Sequence, residues 1–429
     1  MSVFGVRRPV FRPLGPAKGR AKRTAKRPSL MQDVEFLVVG CGPAGGVAAR
    51  EAARAGVETL VLERDPVVGV KRVCAAGLRP GFCAEFDVPR SIVHCDPPTI
   101  SLHGLSGRRF DFATVGEAHT TTREELDGTI ASFALAEGAQ ILTASLYRGY
   151  VSDGDRTIVE YADLRSGERK QVRARSVLLA QGSSARVEES SPLAYEGWTA
   201  GLITCYQYRV YLERPAIDQT YKTLEMHYYI TKSGRNVIAW MFPKRDHLSI
   251  GLGVQGKFSG KELRAELDAF LPTVAARLFP AVGFTIREEG NLLYGGAPRP
   301  TVSDGNVMVA GTAAGLVDAT TGEGIHEAAM SGRLAAAAVA DARRGKTGAP
   351  GREYENVLKS IFYGRLRHRH KLMTFLERRP VRFDVLFEQL SRAPRVAAML
   401  QRDRNDFSLG EWAYLYAQAA LFSIRALRA

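Results

Sequence analysis

Cysteine is scarce in this sequence: five in 429 residues, no two of them in a Cys-x-x-Cys pair. An odd count at irregular spacing (Cys41, Cys74, Cys83, Cys95, Cys205) argues against a disulfide framework or a zinc site and for a reducing compartment. No metal centre is expected. Long hydrophobic runs are missing too. No stretch reaches the roughly 18 apolar residues a spanning helix needs, and no hydrophobic core of a secretion signal opens the chain. Residues 1–30 lack acidic side chains altogether while carrying nine Lys or Arg. Pro9, Pro13, Pro16 and Pro28 interrupt the amphipathic helix that a transit peptide would form. Residues 1–32 are therefore expected to be a basic, disordered extension, with Met31 as an alternative start. The basic residues come without aromatic interleaving or a nucleic-acid motif, so no nucleic-acid partner is expected. The expected location is the cytoplasm, with peripheral membrane contact as a further possibility.

What is present is a normal globular composition, 45% apolar and 24% charged. That supports a sizeable core and roughly two to three domains. The net charge of +14 sits at the ends. Residues 341–429 hold 18 basic against nine acidic side chains, which leaves the middle of the chain about −4. Such ends suit a solvated surface or an anionic lipid surface.

The pattern along the chain is α/β. Glu35–Gly40 and Val57–Glu63 read as buried strands, with an alanine-rich helix between them over Pro43–Ala55. Residues 65–120 read as loops with short strands. A helix follows over Thr122–Gly138, with Leu126, Ile130, Phe133, Leu135 and Ala136 as its apolar stripe. Strands are expected at 140–151, 157–163 and 170–180, and residues 200–255 are β-rich, with a hairpin about the turn Lys232-Ser233-Gly234-Arg235. Helices are expected at 260–281 and 323–343 and beyond 350, and another buried strand at 306–311. The fold expected is α/β, a Rossmann-type domain with an antiparallel β-sheet domain and a helical C-terminal region. The first comprises residues 33–95, 120–190 and 296–345, the second 96–119 and 191–295, the third 346–429.

Two constellations carry chemistry. Gly40-Cys41-Gly42-Pro43-Ala44-Gly45 follows a strand and opens a helix, and Glu63 ends the next strand. This is the full context of a dinucleotide site. Gly40 permits the tight turn, Gly42 lets backbone approach a pyrophosphate, and Gly45 lets the helix pack on the sheet. Glu63 can accept adenosine ribose hydroxyls. The second constellation, Gly311-Thr312-Ala313-Ala314-Gly315 with Thr321-Gly322-Glu323-Gly324-Ile325, again puts small residues between a buried strand and a helix N-terminus.

Taken with Ala180-Gln181-Gly182-Ser183-Ser184 in mid-chain, these motifs resemble the flavoprotein hydroxylase fold. More closely, Lys71-Arg72-Val73-Cys74-Ala75-Ala76-Gly77-Leu78, Arg123 with Leu126-Asp127, and Trp240-Met241-Phe242-Pro243-Lys244 resemble the geranylgeranyl reductase family over residues 34–345. The resemblance implies FAD as cofactor. Its contacts would be Gly40, Gly42, Pro43, Ala44, Gly45, Glu63, Arg64, Cys74, Ala75, Gly77, Arg123, Gly311, Thr312, Gly322, Gly324 and Ile325. It also implies reduction of polyprenyl C=C bonds, a hydride passing from reduced flavin to one alkene carbon and a proton to the other. Cys74 is the candidate catalytic residue, with His326 and water as other proton sources. Such a substrate requires an apolar site, for which Trp240 and Phe242 are the foremost candidates, with Met226, Tyr228 and Met241 behind them. A single dinucleotide fingerprint suggests that the external reductant, NAD(P)H or a ferredoxin-like donor, visits transiently. Three positions depart from the family pattern: Gln181 and Thr312 where it has Asp, and Ile238 where it has Tyr. Two alternatives stay open, an FAD-dependent aromatic monooxygenase and a non-catalytic lipid-binding protein on a degenerate flavoprotein fold.

Overall fold

The computed structural model describes residues 31–70, 73–114, 119–184, 191–231, 234–256, 258–275, 285–400 and 407–428. The basic extension up to residue 30, Lys71 and Arg72, the turn residues Lys232 and Ser233, and the end of the helix expected at 260–281 lie outside them.

The strand Gln32–Val39 is the centre of the first sheet. Its Phe36–Val39 stretch is fully apolar and buried on both faces, as parallel strands covered by helices must be. It pairs in parallel with Thr59–Leu62 on one side and Arg169–Leu179 on the other. Gln140–Leu142 and Val307–Val309 extend the parallel array outward. The N-terminal half of Arg169–Leu179 instead pairs antiparallel with Arg156–Asp163, which forms a hairpin with Ser145–Asp153. The run 140–151 is thus two strands. Ala144, held at φ +54°, breaks it.

The second sheet runs Thr285–Tyr294, Leu202–Tyr211, His247–Gln255, Asn236–Pro243, Thr223–Ile230, Thr99–His103, Arg109–Ala113. It is antiparallel apart from the parallel pair Thr223–Ile230 with Thr99–His103. One face is covered by the helix Gly260–Ala275 over a core that includes Met241, Ile250 and Leu267. The other face meets the C-terminal helices Gly364–Glu377, Val381–Arg392 and Leu409–Arg428 through Met226, Tyr228, Phe383 and Phe387.

The helix Arg123–Ala136 starts on the Thr122 side chain, which accepts the Glu125 N–H. Its buried stripe is Leu126, Ile130, Ala131 and Ala134; Leu135 is exposed and Phe133 half-exposed. Small alanines allow the close approach of the neighbouring helix Pro43–Arg54 that Phe133 and Leu135 would prevent.

Candidate functional site

The helices Pro43–Arg54 and Ile325–Arg343 bring the two glycine-rich constellations to one cleft, because they cross almost backbone to backbone. A Cβ on Gly332 would lie 2.0 Å from the Ala44 carbonyl oxygen, and one on Gly311 would lie 3.1 Å from the Ala44 Cβ. Gly40 takes φ +96°, and a side chain there would meet the Ala180 carbonyl. The caps of both helices, Gly42 and Gly324, make no side-chain hydrogen bond. First-turn N–H groups and the positive dipole ends are thereby left for an anionic ligand.

Glu63 closes the adenosine end. Its carboxylate accepts the N–H of Cys41 (2.7 Å) and of Asp65 (2.8 Å). Burial raises its carboxyl above the usual range, against the pull of those two amides. Arg64 is largely exposed and pairs with Asp65. At the other end, the turn Gly182–Ser184 touches the turn Gly311–Ala314, where Thr312 is half-buried. Gln181 Oε1 and Ser183 Oγ are buried there without a hydrogen-bond partner. Orphaned polar atoms beside glycine backbone fit the hydroxyl-rich part of a dinucleotide cofactor.

The loop before Ile325 is held by Asp318, which the sequence did not single out. Its carboxylate accepts the Thr320 N–H (2.9 Å) and hydroxyl (2.6 Å), and faces Arg369 (3.3 Å) and Arg365 (3.8 Å) of the C-terminal helix Gly364–Glu377. Arg365 also pairs with the buried Glu327, as does Arg79. Asp318→Ala leaves these arginines short of a partner and frees the loop. A stability loss on the order of 3 kcal/mol is expected. Chemical denaturation checks it, and retention of wild-type stability would remove Asp318 from this role.

Cys74 stands in a strained segment. The residues on either side of the Cys74-Ala75 pair, Val73 (φ +60°) and Ala76 (φ +48°), both have left-handed backbone, costly above all for β-branched valine. Three contacts hold it. The Val73 N–H donates to the buried Glu289 carboxylate (3.3 Å), the Thr121 N–H donates to the Ala76 carbonyl (3.0 Å), and Lys244 Nζ donates to the Ala75 carbonyl (2.5 Å). Arg123 hydrogen-bonds both Asp127 and the Cys74 sulfur, and Lys244 also acts on Cys74 electrostatically. Burial lowers the Lys244 ammonium from its usual range to about 7, with the two nearby cysteines opposing.

The sheet presents alternate residues to this segment. Phe242 lies against Gly77, where an added Cβ would meet its ring at 2.9 Å, and joins the cluster of Met226, Tyr228 and Phe383. Tyr228 donates to the Thr320 carbonyl (2.8 Å). Trp240 shares the face but lies over Gly251 and donates its indole N–H to Gln207 (3.0 Å), which in turn donates to Glu289 (3.2 Å). Met241 is a correction: strand alternation turns it to the opposite face, into the core under Gly260–Ala275. His326 pairs with Glu85 (2.8 Å) and packs edge-on against Phe86. The aromatic cover from Phe383 and Phe387 was invisible as site material in the sequence; an amphipathic helix after residue 380 gave no sign of which face it would meet.

Against known proteins, the chain is 30% identical to digeranylgeranylglycerophospholipid reductase 1 of Methanopyrus kandleri over 71% of its own length and 79% of the relative's. The chain belongs to the geranylgeranyl reductase family of FAD-dependent oxidoreductases. A geranylgeranyl diphosphate reductase of Rhodobacter capsulatus is 29% identical, over 73% of the chain and 76% of the relative. No protein-family model matches. Among solved structures, a geranylgeranyl bacteriochlorophyll reductase-like protein of Thermoplasma acidophilum has the same fold, with TM-score 0.73 and 21% identity over 93% of this chain and 98% of that one. A p-nitrophenol 4-monooxygenase of Pseudomonas putida shares it at TM-score 0.67 and 16% identity, over 86% and 97%. Family membership makes the protein an FAD-dependent reductase, and the resident cofactor is FAD.

Proposed function

We propose that the protein saturates C=C bonds in the polyprenyl chain of a geranylgeranyl-type lipid. One observation carries this reading: the strained Cys74 segment meets, through Gly77 and Phe242, a continuous apolar cluster under the C-terminal helices. An uncharged chain has nothing to offer but apolar surface, so such a cluster is the recognition it requires.

Gly40 to Gly45, Glu63, Arg64 and Arg123 bind the adenosine and pyrophosphate side of FAD. Gly311, Thr312, Gly322, Gly324 and Ile325 line its flavin side, together with Ala75 and Gly77. Reduced FAD supplies the hydride. Cys74, between Arg123 and Lys244, is placed to hold or pass the proton that completes the saturation, while Phe242 excludes water and Trp240 anchors the polar contacts behind Val73. Residues 33–95, 120–190 and 296–345 form the cofactor domain, and 96–119 with 191–295 the substrate domain. NAD(P)H or a ferredoxin-like protein delivers the electrons. None of the described helices is long and apolar enough to cross a membrane. Leu409–Arg428, however, exposes Leu409, Tyr416, Leu421, Ile424 and Leu427 near Arg425 and Arg428, a composition suited to lying on an anionic lipid surface and drawing substrate from it.

The test is an absorption spectrum of the purified protein, then anaerobic reduction with a geranylgeranyl lipid present. Flavin bands followed by lipid products heavier by H2 per double bond are expected. Substrate-dependent oxygen consumption with unreduced lipid would assign the monooxygenase reading instead, and a colourless protein that takes up no FAD the non-catalytic one.

A further inference from the structure

We infer that the substrate sheet carries a divalent transition-metal site of zinc type, formed by His103, Glu225 and His227. It lies on the face turned away from Phe242 and Cys74. Thr99–His103 and Thr223–Ile230 pair in parallel with His103 opposite His227 and Ser101 opposite Glu225. Alternation along the second strand then puts Glu225 and His227 on the same side as His103. One ligand atom from each residue lies within 4.8 Å of the others. His227 Nε2 is 3.2 Å and His103 Nε2 3.7 Å from Glu225 Oε2. Bonds of about 2.0–2.1 Å in a tetrahedron separate neighbouring ligand atoms by about 3.4 Å, the scale of the two distances to Glu225, so the adjustment an ion requires is in the orientation of the imidazole rings.

A second observation is independent of the spacing. His103 Nε2 is buried, faces Glu225, and makes no hydrogen bond. A buried ring nitrogen of this kind is either left at a cost or used. The two imidazoles stack with centroids 3.9 Å apart and planes 11° from parallel. An ion entering by the partly exposed edge of His103 must fan the rings open. Phe270 packs edge-on against His227 from the covering helix and limits water access on that side. Water completes the coordination; Asp111, paired opposite Ser101 on the neighbouring strand, is already held by Arg109 and Ser101. Imidazole and carboxylate donors of this number suit Zn2+ and its spectroscopic stand-in Co2+ rather than Mg2+ or Ca2+. Because the sheet separates this site from the flavin cleft, the ion's work is structural: it joins the parallel pair that attaches the 99–113 hairpin to the rest of the sheet.

The experiment treats flavin-loaded full-length protein with a chelator and titrates it with CoCl2, then repeats the titration with His103→Gln and Glu225→Gln. One cobalt per chain is expected, with visible d–d bands, no thiolate charge-transfer band, and a higher melting temperature. Each variant should weaken binding about 100-fold while flavin content stays at the wild-type level. No saturable cobalt binding in the wild type would overturn the assignment. So would a thiolate band, or wild-type affinity retained in both variants. If one variant fails to fold, the other and the wild-type spectrum still decide.

Discussion

Gly332→Ala is expected to strip the protein of its flavin. The added methyl would lie 2.0 Å from the Ala44 carbonyl oxygen, 2.9 Å from its carbon and 3.1 Å from the Ala48 nitrogen, all backbone atoms of the neighbouring helix. No rotamer change relieves such an overlap, so the helices must part. Under the proposed function the N-terminus of the Pro43–Arg54 helix faces the pyrophosphate, and Gly311 rests on the same Ala44. Overpacking with mobile side chains costs about 1–3 kcal/mol, and rigid backbone puts this case at the upper end. At about 1.4 kcal/mol per factor of ten, FAD affinity should fall by about 100-fold. Flavin absorbance per chain and an FAD titration of the apoprotein measure it. A variant that purifies fully yellow with unchanged affinity would show that the helix crossing does not set the cofactor site.

Lys244→Met should raise stability at neutral pH while lowering turnover. The wild-type ammonium is fully buried, donates to the carbonyls of Ala75 and Ala76, and is lowered by burial to about 7. In the unfolded chain it titrates near the ordinary lysine value of 10.5. Below the folded value both states carry the proton and the whole burial cost is present. As pH rises from about 7 to about 10 the native state sheds the proton first, and that cost is relieved. Stability from this group therefore rises across that window, by an amount on the order of 4 kcal/mol. The methionine variant should lack the rise, a difference that denaturant unfolding at pH 7 and pH 10 isolates from other titrating groups. The same substitution removes the donor that holds Ala75 and Ala76, so the left-handed backbone beside Cys74 relaxes. Turnover is expected to drop by about 100-fold, with a smaller loss of flavin content, since in the proposed site Ala75 and Gly77 border the flavin while the glycine-rich cleft is untouched. Parallel pH–stability curves for the two proteins, or unchanged turnover, would count against this role.

Much of the cofactor half was legible because its requirements are local. A strand that must be buried on both faces spells itself as FLVV, and a turn at φ +96° spells itself as glycine at 40. The same local logic singled out the segment around Phe242, but strand parity there could be fixed only by the partner strands. Met241 was counted with the substrate face on composition and belongs to the opposite core. The helix stripe failed for a related reason. Leu135 satisfies the helical period but lies beyond the neighbouring helix's reach, and Ala131 and Ala134, poor in apolar area, make the contact.

The sequence by itself determined the strand, glycine turn and helix of residues 32–54, the place of Glu63 at the end of the next strand, and the family to which the chain belongs. Each depends on residues close in the chain, where backbone geometry dictates side-chain type. Only the tertiary structure decided the rest: that Asp318 is gripped by arginines about 50 positions away, that Glu289 and Lys244 together hold a strained Cys74 segment, and that His103 meets His227 across paired strands. These are contacts between residues far apart in sequence. They exist only once two sheets and the C-terminal helices have packed, and no local periodicity encodes them.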